Sequence, residues 1–262
     1  MRLLFSTLVI VGLATAPVMA AAPIAAATSK VEGKEVAKPP VAVEVSPIYD
    51  PIEPFNRAVF QFNRFIDFIL LKPVTKVYTT ITPEFAQTGV TNFLSNLGEP
   101  VTMLNKLLQG DFEGFRTSTS RLYINSVFGV LGLVDTADKM GIHSVNADFG
   151  QTLGKWGVGH GAYLVLPLMG PSSVRDGAGR VVDTFTDPYN LVFLDSETEW
   201  PLYARAGLTV VDARARYGDE IDRTMKTAVD PYVTFRSIYA QRRAYVVQDK
   251  SIDVYGDAEE QY

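Results

Sequence analysis

Apolar side chains recur at helical spacing through most of residues 46–249, and proline and glycine cut the pattern often. On a wheel at about 100° per residue, Phe55, Ala58, Val59, Phe62, Phe65, Ile66, Ile69 and Leu70 share one arc of roughly 140°. Asn56, Arg57, Gln61, Arg64 and Asp67 take the opposite side, with Phe60, Phe68 and Leu71 among them. A helix this greasy all round is either buried on both sides or wetted by lipid, and the wheel alone leaves both open. A second helical stretch covers about 88–109, restarted at Pro100 and stopped by Gly110. A third covers 112–134, and its last thirteen residues, Leu122 to Val134, carry no charge. That run is too short to span a bilayer and suits an interfacial, re-entrant or buried segment. Its Gly129 and Gly132 would admit a neighbouring backbone.

The pattern changes in the middle of the chain. Gly154, Gly157, Gly159 and Gly161 predict a loop, and Tyr163 to Leu168 alternates like a strand, so a short hairpin or strand-like insertion is expected near 154–168. Two long helices, 201–229 and 231–248, complete a mainly α fold. Asp187-Pro188 and Asp230-Pro231 each read as an Asp N-cap with proline at the first helical position.

The ends of the chain read differently. Arg2, the mostly apolar run Leu3 to Ala16 and the small-residue site Val18-Met19-Ala20 predict a signal peptide over 1–20, cleaved on export. Residues 21–45 are rich in Ala, Val and Pro and predict a flexible tether; 46–249 form the folded domain, and 250–262 an acidic disordered tail. Cleavage leaves 242 of the 262 residues and moves the formal charge from −5 to −6, which offers no basic field to nucleic acid. With no cysteine, disulfides, thiol chemistry and thiolate metal sites are excluded.

No catalytic constellation is visible. His143 and His160 each stand alone, and Ser172 and Ser173 lie outside any G-x-S-x-G elbow. No H-E-x-x-H, EF-hand loop or phosphate-binding loop occurs, so no metal and no cofactor are expected. Asp148-Phe149-Gly150 lacks the other kinase segments, and Gly157, Gly159 and Gly161 lead into a strand instead of opening a helix. The protein is not expected to be an enzyme.

Asn56, Asn63, Asn92, Asn96 and Asn105 sit within otherwise apolar helices. Each amide either bridges a neighbouring helix or, collectively, they line a polar path through an apolar body. Such a path has a use. Exposing the roughly thirty methylenes of a two-tailed lipid to water, at about 0.8 kcal/mol each, costs on the order of 20 kcal/mol. Taking its headgroup through hydrocarbon is also costly. A duct with an apolar rim leaves the tails in lipid while the headgroup passes. The glycines at 154, 157, 159 and 161 then read as a hinge or as ordinary turn chemistry. Trp156 and Tyr163 read as interfacial aromatics or core residues, and Phe149 and Trp156 as a packing pair.

One run of landmarks is more specific. It comprises Asp50-Pro51-Ile52-Glu53-Pro54-Phe55-Asn56-Arg57, Asn92-Phe93, Asn96-Leu97-Gly98-Glu99-Pro100 and Leu108-Gln109-Gly110, then Asp148-Phe149-Gly150-Gln151-Thr152-Leu153-Gly154 and Gly170-Pro171-Ser172-Ser173-Val174-Arg175-Asp176. In order and spacing it resembles the MlaA (VacJ) family over roughly Ser46 to Arg243. The resemblance implies a ring-like helical body in the inner leaflet of the outer membrane, with a central amphipathic channel. Through it, mislocalised outer-leaflet phospholipid would pass to a periplasmic lipid carrier protein, with a trimeric outer-membrane porin as companion. Asn56, Asn92, Phe93, Asn96, Phe149, Gly150, Arg175 and Asp176 match the family's landmarks; Arg236, Tyr239, Gln241, Arg242 and Arg243 fit more loosely. Ala162 stands where relatives often have proline. Many members are lipoproteins acylated on a cysteine, and this sequence has none, so membrane attachment through the folded body or a partner is expected. The alternative is a soluble periplasmic lipid-binding or scaffold protein without a channel.

Overall fold

The computed structural model describes residues 48–194 and 198–248; the expected signal peptide, tether and acidic tail lie outside the described residues. Helix α1, Glu53–Ile66, starts with proline in its first turn and runs into a π-helical turn, Asp67–Leu71, then α2, Lys72–Ile81. After Pro83 come α3, Glu84–Leu108, then α4, Phe112–Val127, and α5, Thr136–Lys139, the last two capped by Asp111 and Asp135. Helix α6, Phe149–Lys155, is capped by Asp148 and precedes an antiparallel hairpin of β1, Tyr163–Leu166, and β2, Gly170–Ser173. Four helices finish the chain: α7, Val174–Thr186; α8, Pro188–Leu194; α9, Trp200–Thr227; and α10, Pro231–Val247.

The elements close on themselves. Helix α1 packs on β1, β2 on α7, α7 on α8, α8 on α9, and α9 on α2, which returns through the π-turn to α1. The long pair α3 and α4 is tied into this circuit through α9 and α6. The result is the mainly α, ring-like arrangement expected.

Four expectations shift. Helix α3 runs unbroken through Pro100: proline's fixed φ suits a helix, only one internal hydrogen bond is lost, and packing along α4 holds the axis. The third stretch stops at Val127, because Leu131 N and Gly132 N turn back onto the carbonyls of Ser126 and Asn125 (3.1 and 2.8 Å), with Val130, Leu131 and Gly132 all at positive φ. A Cβ at Gly132 would lie 2.7 Å from the Asn96 side chain, so glycine here does admit α3. Gly154 and Lys155 belong to helix α6, and the hairpin sits at 163–173, further along than the glycine cluster suggested. Helices α2, α5 and α7 had no counterpart in the sequence analysis, whereas α8 begins at Pro188, where Asp187-Pro188 had marked a helix start.

The partition of side chains is inverted. Helix α1 buries Asn56 (0 % exposed) and Phe60 (6 %) and turns Phe55 (62 %) and Phe65 (58 %) outward, as the π-turn does Phe68 (71 %). Among the described residues, buried polar and charged side chains outnumber buried apolar ones, while Val77, Ile81, Phe85, Phe128, Leu131, Val192 and Trp200 join the exposed apolar surface. An apolar core does exist: Phe60, Tyr163, Val165, Tyr232 and Tyr239, with edge-to-face rings such as Phe60–Tyr232 at 5.7 Å.

Candidate functional site

The interior is held by polar side chains acting in pairs of elements. Asn56 and Asn63 stand seven residues apart on the inner stripe of α1 and serve the free edge of β1. Asn56 Nδ2 donates to Tyr163 O (2.9 Å) and its Oδ1 accepts from Val165 N (2.9 Å). Asn63 repeats the pattern with Leu166 O (2.9 Å) and Leu168 N (2.8 Å). The two amides take the place of a third strand and leave no open edge there. Asn56 also donates to Asp50 (2.8 Å), which binds Arg236 at 2.8 Å and the Tyr232 hydroxyl.

A second cluster joins α6, α7 and α10. Arg243 makes a two-pronged contact with Asp148 (2.7 and 2.9 Å) and reaches Asp176 Oδ1 at 2.9 Å. Arg175 Nε binds the same Asp176 oxygen at 3.0 Å, and the Tyr239 hydroxyl takes the other. Burial would raise the Asp148 carboxyl, but Arg243 outweighs it and holds the group below the usual carboxylate range. Nearby, Asp183 accepts from Phe149 N (2.9 Å) and Asn105 Nδ2 (2.8 Å); burial still pushes its pKa up to about 6. Gly150 is required by this crowding: a Cβ would lie 2.7 Å from Asp176 Oδ1 and 2.9 Å from Arg243 Nη2. A side chain at Gly179 would collide with the Gly150 backbone, so α6 and α7 touch main chain to main chain.

A third cluster ties α3 to α4 and α5. Arg121 reaches Glu99 (3.2 Å), Asp135 (2.7 Å) and Ile142 O (2.5 Å), and Ser118 donates to Glu99. Beside it opens a cleft of about 390 Å³, lined by Phe93, Asn96, Leu97 and Pro100 of α3, Leu122 and Ser126 of α4, Leu131, and Asp187, Pro188 and Tyr189 at the start of α8. Asn96 Nδ2 donates to Ser126 Oγ (3.0 Å), whereas its Oδ1 has no partner. Asp187 pairs with Arg205 at 2.5 Å, and that guanidinium lies 4.9 Å from the centre of the Tyr189 ring.

The expected site residues therefore separate. Phe93 and Asn96 line the cleft. Asn92 joins α3 to the turn after α4 through Leu133 O (3.1 Å). Asn56 belongs to the hairpin, and Phe149, Gly150, Arg175 and Asp176 belong to the α6–α7–α10 junction, where they hold helices together. Of the expected hinge, Gly154 is packed inside α6, with its Cβ position 2.8 Å from Arg175 Nη1 and from Val247. Gly157 (φ 89°) and Gly161 (φ 68°) need glycine for their backbone, and Gly159 faces open space. Tyr163 is a core residue; Trp156 is half exposed, donates to Leu108 O (3.1 Å) and meets Phe149 edge to face at 5.9 Å. Arg121, Asp183 and Arg205 were missed. Their only signal was a charge within an apolar stretch, which does not reveal a partner many residues away.

No helix among the described residues is long and apolar enough to cross a membrane, and no group of three or more His, Asp or Glu among them could hold a metal.

A family model described as MlaA lipoprotein matches residues 48–246. The chain is 33 % identical over 202 residues to the Escherichia coli intermembrane phospholipid transport system lipoprotein MlaA, covering 75 % of this chain and 78 % of that one. The Haemophilus influenzae protein of the same description is 34 % identical over 210 residues, covering 79 % and 82 %. An uncharacterised Rickettsia prowazekii protein is 35 % identical over 201 residues, covering 77 % and 79 %. A solved chain, from work on the structural basis for maintenance of bacterial outer membrane lipid asymmetry, superposes with a TM-score of 0.68 at 33 % identity. It covers 76 % of this chain and 98 % of its own.

Proposed function

This chain belongs to the MlaA family, and from that premise we propose that it is a passive phospholipid channel of the outer membrane. In this reading it removes mislocalised phospholipid from the outer leaflet and passes it to a periplasmic lipid carrier protein, so maintaining lipid asymmetry. The observation that carries the reading is the inverted partition: phenylalanines outward on α1 and the π-turn, ion pairs and amides inward. In water that arrangement wastes the burial of each exposed ring, worth about 1.5–3 kcal/mol. Against hydrocarbon it costs nothing, and it gives a headgroup a polar route.

The body sits in the inner leaflet, held by its apolar belt and associated with a trimeric porin. The cleft at Phe93, Asn96 and Tyr189 mixes apolar and polar lining, as an amphiphile requires, and is the candidate passage. No bond is made or broken in this process. A strain lacking the protein should accumulate phospholipid in the outer leaflet and lose EDTA resistance, with both restored by this chain. Normal surface lipid in the deletion strain would end the proposal. Carbonate washing adds a second test, because a soluble scaffold would leave the membrane while an embedded ring stays. Purified protein incubated with labelled phospholipid should yield no lysolipid and no free fatty acid.

A further inference from the structure

We propose that the turn joining α4 to α5, residues 127–134, is immersed in the hydrocarbon of the bilayer and opens the neighbouring cleft to lipid from the side. The inference rests on the membrane reading above and adds a non-helical element to the surface that meets lipid.

Val127, Phe128, Val130, Leu131, Leu133 and Val134 are all exposed, and from Leu122 to Val134 the chain carries no charge. A run of large apolar side chains this dense gains nothing from facing water. Nor does the backbone depend on water. Phe128 N donates to Ile124 O (2.8 Å), Leu131 N to Ser126 O (3.1 Å) and Gly132 N to Asn125 O (2.8 Å). Leu133 N donates to Val130 O (3.2 Å) and Val134 N to Gly129 O (2.8 Å). From α3, Asn92 Nδ2 takes up Leu133 O (3.1 Å). Irregular backbone persists in hydrocarbon only where such partners replace water. A turn built to meet another protein needs no such self-sufficiency, because protein interfaces supply hydrogen bonds and trapped water.

The fold holds this shape at a cost. A Cβ at Gly129 would lie 2.2 Å from Val134 O, so glycine lets the chain double back on itself. Val130 and Leu131 are kept at φ 54° and 57°, a region that residues with a Cβ seldom occupy. Below them, Arg121 and Asn125 grip Asp135 (2.7 and 3.1 Å) and fix the base of the turn. Tyr123, exposed and edge to face with Phe128 at 6.4 Å, places an amphipathic ring where hydrocarbon gives way to headgroups. Leu131 also lines the cleft with Phe93 and Asn96. A phospholipid whose tails lie against the turn therefore reaches the cleft without its methylenes crossing water.

The chain has no cysteine, so a single introduced thiol reports on one place. Full-length Phe65→Cys, Phe128→Cys, Leu131→Cys and Glu113→Cys, each carrying a nitroxide, are reconstituted into phosphatidylethanolamine–phosphatidylglycerol vesicles without porin. Electron paramagnetic resonance then compares collisions with oxygen, which concentrates in hydrocarbon, and with a water-soluble nickel chelate. Labels at 128 and 131 should favour oxygen, as the label at 65 does, whereas the label at 113, at the far end of α4, should favour nickel. Nickel access at 128 and 131 beside oxygen access at 65 would overturn the immersed turn and leave the membrane reading standing. Shielding of 128 and 131 from nickel only after trimeric porin is added would also overturn it, since the turn would then be a protein contact. Nickel access at 65 as well would sink the membrane reading itself.

Discussion

Helix α1 and the π-turn after it turn Phe55, Phe62, Phe65 and Phe68 outward and keep Asn56 and Asn63 inside, whereas the junction of α6, α7 and α10 encloses Asp148, Asp176, Arg175 and Arg243. The first region lacks a protein partner for its rings; the second gives every carboxylate oxygen one. The contrast shows which solvent each region was built against. Apolar rings need no partner in hydrocarbon, and enclosed charges persist only where the partners are supplied by the fold. Stability and membrane attachment are therefore carried by different side chains, and substitutions should separate them.

Breaking the junction should have the largest effect. Arg243→Met strands Asp148 and Asp176 without their shared cation, a loss of about 3–5 kcal/mol. For a domain of this size the melting temperature in detergent should fall on the order of 10 °C. A fall under about 2 °C would show the junction to be dispensable. On the belt, Phe65→Lys should cost membrane retention by up to about 3 kcal/mol, read as release in carbonate, while melting in detergent barely moves. If that variant stays in the membrane, α1 does not face lipid.

A smaller effect comes from Asp183, whose folded pKa is raised to about 6. Between about 4 and about 6 the folded state holds a proton that the unfolded chain has lost, so stability falls as pH rises through that window. The total is on the order of 2 kcal/mol. Glu99, also raised by burial, acts in the same direction, so the difference between wild type and Asp183→Asn isolates Asp183. Parallel denaturation curves for the two from pH 4 to 7 would refute its raised pKa.

The smallest effect separates two glycines in the segment read as a hinge. Gly159→Val should leave stability within about 0.5 kcal/mol, as nothing lies near its Cβ position. Gly161→Val should cost about 1–2 kcal/mol for its positive φ. If the segment moves during transport, both alter surface phospholipid; unchanged EDTA sensitivity in both would remove the hinge from the mechanism.

Much of the fold was legible because helices α1, α3, α4, α9 and α10 carry periodic apolar positions, and Asp187 and Asp230, read as N-caps, accept from backbone N–H groups at their helix starts. Helix α7 was not, since its apolar stripe is brief and interrupted by Gly177 and Gly179, and of the short α8 only the start at Asp187-Pro188 was legible. The landmark residues were legible as a set but not as a site. Phe93 and Asn96 reach the cleft, while Phe149, Gly150, Arg175 and Asp176 turn out to fasten helices.

By itself the sequence determined that the chain is mainly helical, carries no thiol or recognisable catalytic group, and spends large apolar residues around most of α1. Those are properties of local spacing and composition. Which face of α1 looks inward was decided only by tertiary structure, because a wheel records hydrophobicity but not the medium on the far side. Contacts between Arg243 and Asp148, 95 residues apart, and between Asn56 and Val165 likewise exist only once the chain closes. Pairing of buried polar groups is a long-range property, set by where the helices cross.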